Sequence, residues 1–366
     1  MELLLGIVIV VTCWMVVRII RSSKNQEGYK RWRAGNYASE NPYAKEKASG
    51  PLFSKRVRTS GARRFDDGAI RWCANLLATE ESRLREVLDY IPRQYTCFHV
   101  RKRSGGFRYI SAPAGDFRSM QQTIYHRILL LTNIHPAVTG FCPGKSVSDN
   151  ARVHLGRKNV LKVDLHDFFP SIRSPRVRAA FREMGYSRPI AKVLAELCCL
   201  RCCLPQGAPT SPALSNIIAY PMDKKMMALA GEYGLVYTRY ADDLTFSGDY
   251  LPKDEVLVRI HRIIREEGFT MNVKKTRFLS EHKRKIITGV SVSSGKKMTL
   301  PKVKKREIRK NVHYVLTKGL VGHQEHIGST DPVYLKRLLG SLCYWRSIEP
   351  DNRYVSDSIT ALKRLM

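Results

Sequence analysis

Two adjacent carboxylates, Asp242 and Asp243, have the type and spacing of residues that do chemistry. Runs rich in aromatic and β-branched residues flank them, Leu235–Arg239 before and Leu244–Ser247 after, and this pattern predicts a β-hairpin with the acids at its tip. Neighbouring carboxylates repel each other, and a protein tolerates that repulsion most readily where a divalent cation sits between them and a third acid. A solvated turn is the alternative interpretation.

A candidate third acid lies at the end of another predicted strand. Residues Val160–Val163 are mostly apolar and lead to Asp164, after which two aromatic residues and Pro170 end the strand pattern. An aspartate that leaves a buried strand is costly unless it binds something, so the sequence favours a metal ligand here. We therefore predict that Asp164 shares a metal site with Asp242 and Asp243.

Two further stretches suit contacts with a nucleotide. Strand-like runs within Tyr95–Ile110 are joined by a Gly-Gly turn, and Lys102 and Arg108 on this predicted hairpin are well placed to touch a triphosphate. An ordinary solvated hairpin is the alternative. The Pro- and Gly-rich loop Leu204–Pro212 can bring its backbone and the amide of Gln206 against a flat ligand.

The charge balance points to a polyanionic partner. The chain of 366 residues carries 63 Lys and Arg against 32 Asp and Glu, a formal net charge of +31. This excess is far beyond what solubility requires and suits nucleic acid, with an anionic membrane surface as an alternative or an addition. A hydrophobic content of 43% excludes general disorder, and nine cysteines without regular spacing do not indicate a disulfide framework, so the main body is expected in a reducing compartment.

The first residues predict a membrane anchor. Residues 3–20 are almost entirely apolar and basic residues follow them, so residues 1–21 are expected to attach the chain to the inner membrane with its body in the cytoplasm. A buried or interfacial helix and a start codon assigned too early are the alternatives. Residues 22–66 are basic and interrupted by Gly and Pro, as in a linker.

Taken in order from about Tyr95 to Val292, these motifs resemble those of reverse transcriptases of the right-hand polymerase fold. The resemblance implies an α+β fold with fingers, a palm built on an antiparallel sheet and a helical thumb, preceded by the N-terminal hydrophobic helix. It places the fingers and palm at 67–292 and the thumb at 293–366. It also implies RNA-directed DNA synthesis from deoxynucleoside triphosphates.

Several residue roles follow from the resemblance. Asp164, Asp242 and Asp243 match the catalytic carboxylates, which would hold two Mg²⁺ ions for in-line displacement. The nucleotide-binding positions implied in the same way are Lys102, Arg108, Phe169, Gln206, Gly207 and Lys275. Among these, Phe169 matches the ring that clashes with a ribose 2′-OH, and Lys275 matches the lysine near the leaving phosphate.

Two short elements resemble those of bacterial retron reverse transcriptases. Asn150-Ala-Arg-Val-His154 is similar to their Asn-Ala-x-x-His element, and Ile287-Thr288-Gly289 is similar to their Val-Thr-Gly element, with Ile in place of Val. This resemblance implies an enzyme that binds its own structured non-coding RNA, primes from an RNA 2′-OH, and makes a short DNA joined to RNA, with an effector protein in anti-phage defence. His154 is either a structural hydrogen-bonding residue or an RNA contact.

Two other functions stay open. One is a bacterial reverse transcriptase of the diversity-generating or abortive-infection type. The other is an RNA-binding scaffold on a polymerase fold. The presence of all three aspartates, Asp164, Asp242 and Asp243, favours an active polymerase over the scaffold.

The predicted thumb opens with cations beside an apolar stripe. The cations expected to contact RNA are Lys304, Lys305 and Arg306. The predicted buried face is Ile308, Val312, Val315 and Leu316. This arrangement suits a helix lying along an RNA–DNA duplex or an RNA stem, with an ordinary solvated helix as the alternative. Further along, Tyr344 and Trp345 are expected in the core rather than stacked on bases.

Overall fold

The computed structural model describes residues 65–102 and 105–366. The predicted membrane anchor at 1–21 and nearly all of the predicted linker at 22–66 lie outside these residues, as does the hydrophobic helix expected before the polymerase fold. Within the two described ranges, no helix is long and apolar enough to cross a membrane.

Helices and strands are mixed along the described chain. The α-helices are Asp67–Leu77, Glu81–Asp89, Gly115–Arg127, Val147–Arg152, Phe168–Ser171, Ser174–Glu183, Arg188–Cys198, Ser211–Ile218, Tyr220–Glu232, Lys253–Glu266, Lys302–His326, Tyr334–Ile348 and Arg353–Lys363. The strands are β1 Tyr95–Arg101, β2 Phe107–Pro113, β3 Asn159–Asp164, β4 Val236–Tyr240, β5 Asp243–Gly248, β6 Arg277–Leu279, β7 Ile286–Ile287 and β8 Val290–Ser291. Short 3₁₀ turns lie at Ile91–Gln94, Leu129–Leu131 and Val273–Lys275.

The structure divides into two compact units. Of the described residues, the first takes in 65–102 and 105–133 together with Phe169–Ile218, and the second takes in Ile134–Phe168 together with Ala219–Met366. Each unit is therefore assembled from two stretches of chain. The three candidate carboxylates belong to the second unit, and the candidate cations of the β1–β2 hairpin belong to the first.

In the first unit, β1 and β2 form the antiparallel hairpin that the sequence predicts. Tyr95 lies opposite Pro113 at its base, and Arg101 lies opposite Phe107 near its tip. The base is buried: the ring of Tyr95 meets Phe117 edge-on, with 5.4 Å between centroids. The side chains of β1 beyond Tyr95 are exposed, so this hairpin is anchored at one end only.

The second unit is built around four antiparallel strands in the order β4-β5-β3-β6. The pairing of β3 with β5 sets Val160 opposite Ser247 and Asp164 opposite Asp243. Successive side chains of a strand point to opposite faces, and all of β5 from Leu244 to Gly248 is buried, so both faces of this strand are covered. The prediction of a β-hairpin around the acid pair is confirmed.

Three C-terminal helices, which begin at Lys302, Tyr334 and Arg353, pack into a buried cluster of the second unit. This cluster joins Trp345 and other apolar side chains of these helices to Val160 of β3. The side chains of this cluster form one continuous apolar core. Hydrophobic burial therefore attaches the three helices to the four-stranded sheet of the second unit.

Two expectations for these helices need correction. Ile308, Val312 and Val315 are buried as predicted, but Leu316 is 46% exposed. It lies roughly 80° around the helix from Ile308, at the margin of the stripe, because each residue advances the helix by about 100°. Trp345 is fully buried as expected, whereas Tyr344 is 37% exposed.

Candidate active site

The turn from β4 to β5 carries two of the three candidate acids. Tyr240 pairs with Asp243, which leaves Ala241 and Asp242 as a two-residue turn. The φ angle of Ala241 is 57°, in the left-handed region that tight hairpin turns require. The backbone N–H of Leu165 donates to the carbonyl of Asp242 at 2.9 Å, which ties this turn to the residue after Asp164.

The third acid, Asp164, is held at the end of β3. The backbone N–H of Asn272 donates to its carbonyl at 2.7 Å. Because Asp164 lies opposite Asp243 and Asp242 is the adjacent turn residue, all three carboxylates lie at the same end of the sheet. The sequence separates Asp164 from the acid pair by more than seventy residues, and the strand register brings them together.

Burial and the charges of neighbouring acids raise the pKa values of both hairpin acids. Burial is the main cause for Asp242, whose pKa is raised to about 6, with further contributions from the charges of Asp243 and Asp164. The pKa of Asp243 is also raised, by burial first and then by Asp164, while the charges of Lys162 and Lys275 oppose the increase. A site where ionised carboxylates are this costly favours a bound cation.

A cation of the protein already contacts Asp164. The Nζ atom of Lys275 donates to both carboxylate oxygens of Asp164, at 3.0 and 3.1 Å. These hydrogen bonds raise the pKa of Lys275, and the charges of Asp242 and Asp243 add to the increase. The ammonium group thus neutralises one of the three candidate ligands.

The three aspartates suit a divalent ion that shares its coordination with substrate. Mg²⁺ takes carboxylate oxygens and completes its shell with water and phosphate oxygens, so it needs few protein ligands. Across residues 65–102 and 105–366, no group of three or more His, Cys, Asp or Glu side chains is placed to hold a metal ion.

The candidate triphosphate contacts lie on the β1–β2 hairpin of the first unit. Lys102 directly follows β1, and Arg108 lies opposite Val100 in the hairpin. Both cationic side chains are exposed. Phe169, the candidate sugar gate, is half-buried in the helix Phe168–Ser171, and its carbonyl accepts from the N–H of Ile172 at 3.1 Å.

The loop with Gln206 and Gly207 is joined to β2 within the same unit. The N–H of Ser111 donates to the carbonyl of Gln206 at 2.7 Å. Gly207 has a φ of 116°, and a Cβ atom there would lie 2.8 Å from the carbonyl oxygen of Ser111 and 2.9 Å from Ile110 Cγ2. Both the angle and the close approach require glycine.

The structure brings the Asn150 element and the Thr288 element into contact. Asn150 Nδ2 donates to Thr288 Oγ1 at 3.4 Å, and Thr139 Oγ1 donates to Asn150 Oδ1 at 2.8 Å. Thr288 itself has a φ of 45°, and Gly289 next to it has a φ of 83°. Asn150 and Thr139 are buried, Thr288 is half-buried and Gly289 is exposed, so these hydrogen bonds connect the two elements at the edge of the core of the second unit.

His154 makes structural hydrogen bonds. Its Nδ1 atom lies 2.6 Å from Ser247 Oγ and its Nε2 atom lies 2.8 Å from Thr238 Oγ1. The side chain is fully buried, and burial lowers its pKa to about 3. The imidazole is therefore neutral at ordinary pH and links β4 to β5 behind the acid turn.

Two of the three cations expected to contact RNA are paired with acids. Lys304 Nζ lies 3.0 Å from Glu307, and Lys305 Nζ lies 2.7 Å from Glu349. Arg306 is exposed. Contact of Lys304, Lys305 and Arg306 with RNA stays a prediction.

Sequence reasoning missed a buried ion pair next to the acid turn. Arg239 and Asp223 are fully buried and their side chains are 2.7 Å apart. One signal could have revealed the pair: Arg239 lies inside a strand-like run, and an arginine in a buried strand is almost always paired. The identity of its partner depends on the fold.

Comparison with known proteins gives the class. The sequence profile of the family described as reverse transcriptase (RNA-dependent DNA polymerase) matches residues 100–314, which is more than half of the chain. The chain therefore belongs to the reverse transcriptase family, a class of RNA-directed DNA polymerases that depend on divalent metal ions, and within it to the retron reverse transcriptases that it resembles at 36% identity.

Two curated relatives carry the retron assignment. The Retron Mx65 reverse transcriptase of Myxococcus xanthus is 36% identical over 279 residues, covering 71% of this chain and 62% of that protein. The Retron Ec86 reverse transcriptase of Escherichia coli is 36% identical over 222 residues, covering 60% of this chain and 68% of that protein. The chain thus spans less than two thirds of the Mx65 protein. A telomerase structure from Candida albicans, at 11% identity and a TM-score of 0.40 over 74% of this chain and 63% of that chain, is too distant to bear on function.

Proposed function

We propose that this chain synthesises DNA on an RNA template from deoxynucleoside triphosphates, with Asp164, Asp242 and Asp243 as the catalytic carboxylates. The observation that carries the proposal is the strand register, which sets Asp164 opposite Asp243 with Asp242 in the adjoining turn. Family membership supports the reaction class.

The carboxylates would hold two Mg²⁺ ions, and the bound ions supply activation of the primer hydroxyl and stabilisation of the leaving pyrophosphate. The backbone hydrogen bonds to the carbonyls of Asp164 and Asp242 orient these residues before substrate binds. The pKa values of Asp242 and Asp243 are raised, so each carboxylate holds its proton more readily in the free protein. Binding of a cation would favour the ionised form of both. Lys275 is 61% exposed, so its ammonium can leave Asp164 and hold the charge of the leaving phosphate.

We assign the remaining nucleotide contacts to Lys102, Arg108, Phe169, Gln206 and Gly207. Lys102 and Arg108 would bind the triphosphate, since exposed cations on a hairpin can reach phosphate oxygens. Gln206 and Gly207 would lie against the nucleotide and the template, and Phe169 would exclude the ribose 2′-OH. The loop is held against β2 by the hydrogen bond from Ser111 to Gln206 and by the close approach of Gly207. These contacts support the assignment of Gln206 and Gly207.

We further propose a retron role for the polymerase. The chain would bind a structured non-coding RNA, prime from an RNA 2′-OH and produce a short DNA covalently linked to RNA, in anti-phage defence with an effector protein. Its similarity to named retron reverse transcriptases and its net charge of +31 support this role. Residues 67–292 would form the fingers and palm, residues 293–366 the RNA-binding thumb, and residues 3–20 the attachment to the membrane, with the body in the cytoplasm.

The test is the nucleic acid that the protein carries. Full-length protein purified from its native locus should hold a DNA joined to RNA, sensitive to both deoxyribonuclease and ribonuclease. The double variant Asp242→Ala, Asp243→Ala should hold RNA alone. Asp254→Ala, which removes a carboxylate whose side chain is 92% exposed, should behave as wild type. The same RNA without DNA in every protein would show a binding scaffold, and untemplated DNA would refute the retron role.

A further inference from the structure

A buried ion pair lies directly behind the acid turn. Arg239 donates from Nε to Asp223 Oδ1 and from Nη2 to Asp223 Oδ2, each at 2.7 Å. Both side chains are fully buried. This is the bidentate geometry in which guanidinium and carboxylate groups match each other.

Stability alone does not account for the pair. Transfer of two charges out of water costs about as much as their attraction returns, and well-packed apolar residues often replace buried ion pairs without loss. The carboxylate also has another donor, because Tyr237 Oη donates to Asp223 Oδ1 at 2.7 Å. What sets Arg239 apart is the group that its remaining terminal nitrogen reaches.

That nitrogen, Nη1 of Arg239, donates to the carbonyl oxygen of Ala241 at 3.1 Å. The φ of Ala241 is 57°, a conformation that residues with a Cβ atom rarely adopt. The carbonyl belongs to the planar peptide that links Ala241 to Asp242, so the contact fixes the plane from which the Asp242 side chain projects.

Gly140 confines the same turn. A Cβ atom at Gly140 would lie 2.6 Å from the backbone nitrogen of Ala241 and 3.0 Å from Tyr240 Cα. The chain before it is held in register with Arg239, whose N–H donates to the carbonyl of Ala137 at 3.0 Å. Ala241 is therefore held from two sides. The Arg239 guanidinium bonds its carbonyl oxygen, and the backbone at Gly140 packs closely against its nitrogen.

We propose that Arg239 and Gly140 are positioning residues, which hold the Ala241–Asp242 peptide in one orientation and thereby aim the Asp242 carboxylate at the divalent cation. Asp223 acts through Arg239 by fixing its guanidinium. The inference rests on the proposed function, in which Asp242 is a metal ligand. It goes beyond that function because neither positioning residue touches substrate or metal.

Arg239→Lys tests the guanidinium. Lysine keeps a charge beside Asp223 but has no planar fork to bond both carboxylate oxygens and the Ala241 carbonyl together. We expect the rate of single-nucleotide incorporation to fall about 100-fold, the order expected for a ~1 Å displacement of a reacting group. The Mg²⁺ concentration for half-maximal rate should rise. Tyr237→Phe is the matched control: it removes another hydrogen bond to the same Asp223 oxygen without reaching the turn, and its rate should change less than about twofold.

Gly140→Ala tests the opposite side of the turn. Its Cβ atom would displace the backbone at Ala241, so we expect a similar fall in rate and rise in half-maximal Mg²⁺ concentration. Gly231→Ala is the control, because no atom lies within 4 Å of a Cβ there and the residue is inside the helix Tyr220–Glu232.

Two readouts do not depend on activity. Amide hydrogen exchange in a peptide spanning 240–243 should speed up in Arg239→Lys and Gly140→Ala but not in the controls. Binding of Mn²⁺, measured by electron paramagnetic resonance, should weaken in the same two variants. Thermal unfolding of each protein establishes that it is folded.

The outcomes separate this inference from the proposed function. Wild-type exchange, Mn²⁺ binding and rate in either folded variant would overturn the inference while leaving the polymerase intact. If neither variant folds, the two residues hold the fold rather than the turn, and the inference is wrong. An inactive wild-type protein would refute the proposed function, and the exchange and Mn²⁺ measurements would still decide whether Arg239 and Gly140 hold the turn.

Discussion

The two β-hairpins of this protein handle charge in opposite ways. The β4–β5 hairpin carries acids, is buried along most of its length and has its turn held by backbone hydrogen bonds and by Arg239. The β1–β2 hairpin carries cations on side chains that are exposed beyond its base. Fixed charges in a buried site act through geometry, and exposed charges act through screened attraction. Substitutions should therefore have large effects in the first hairpin and small, salt-dependent effects in the second.

The largest effect should come from a substitution in β3, the strand that pairs with β5 of the buried hairpin. Asp164→Asn keeps the shape of the side chain but removes its charge, so a divalent ion bound as proposed would lose a ligand. We expect nucleotide incorporation to fall about 10²–10³-fold, as when other electrostatic groups are removed from active sites. Steady-state rates of purified protein on a primed RNA template measure this fall. Asp254→Asn is the control, and a decrease smaller than about tenfold in Asp164→Asn would contradict the assignment.

The hairpin that carries the acid pair could be predicted from the sequence, and the ion pair behind it could not. Runs rich in aromatic and β-branched residues on both sides of the acid pair indicated a hairpin, because that composition is a local property of the sequence. The pairing of Arg239 with Asp223 is a long-range contact between a strand and a helix, and no spacing in the sequence predicts it. Gly140 is required by packing against Ala241 rather than by its own backbone angle, so its role is visible only in three dimensions.

Smaller errors have physical causes of the same kind. The apolar stripe of the helix Lys302–His326 was predicted correctly for the residues that face the core. Leu316 was misassigned because periodicity defines an angle and cannot define how wide the covering surface is. The pairing of Lys305 with Glu349 was equally invisible, since Glu349 lies 44 residues further along the chain, just after the helix Tyr334–Ile348.

A second prediction concerns the contact between β2 of the cationic hairpin and the loop that contains Gly207. Gly207→Ala combines a left-handed φ with a Cβ atom 2.8 Å from Ser111 O, so it should destabilise the protein by about 2–3 kcal/mol. Gly185→Ala has a φ of 96° but no atom within 4 Å of its Cβ, so backbone strain alone should cost about 1 kcal/mol. Urea unfolding of both variants measures the difference. Equal losses would show that the close approach to Ser111 is relieved without cost.

A third prediction tests the neutral histidine behind the acid hairpin. The pKa of His154 is about 3 in the folded chain, below its ordinary value of 6.5, so between these values only the unfolded chain binds the proton. Stability from this residue is therefore complete above pH 6.5 and is lost as the pH falls towards 3. Between pH 7 and pH 5 the loss should be about 2 kcal/mol.

The measurement for His154 is the difference between wild type and His154→Gln in urea unfolding at the two pH values. Glutamine does not titrate, so this variant should lose about 2 kcal/mol less than wild type on acidification. His282→Gln, at an exposed position, should keep the wild-type dependence. Identical dependence in wild type and His154→Gln would show that the folded chain can protonate this residue.

The smallest effect should come from substitutions in the exposed β1–β2 hairpin. These substitutions test whether each cation acts through its own position or only through the net charge of the hairpin. Arg108 lies opposite Val100, while Arg101 lies opposite Phe107, so the two arginines project from opposite faces of the ribbon. Arg108→Ala should raise the KM for deoxynucleoside triphosphate about tenfold, since loss of a charge-assisted hydrogen bond to phosphate costs roughly 1.5 kcal/mol. The kcat should change little, and Arg101→Ala should change neither constant by more than about twofold. Equal increases in KM for both variants would mean that the hairpin attracts nucleotide only through its net charge, and added salt would then abolish both increases.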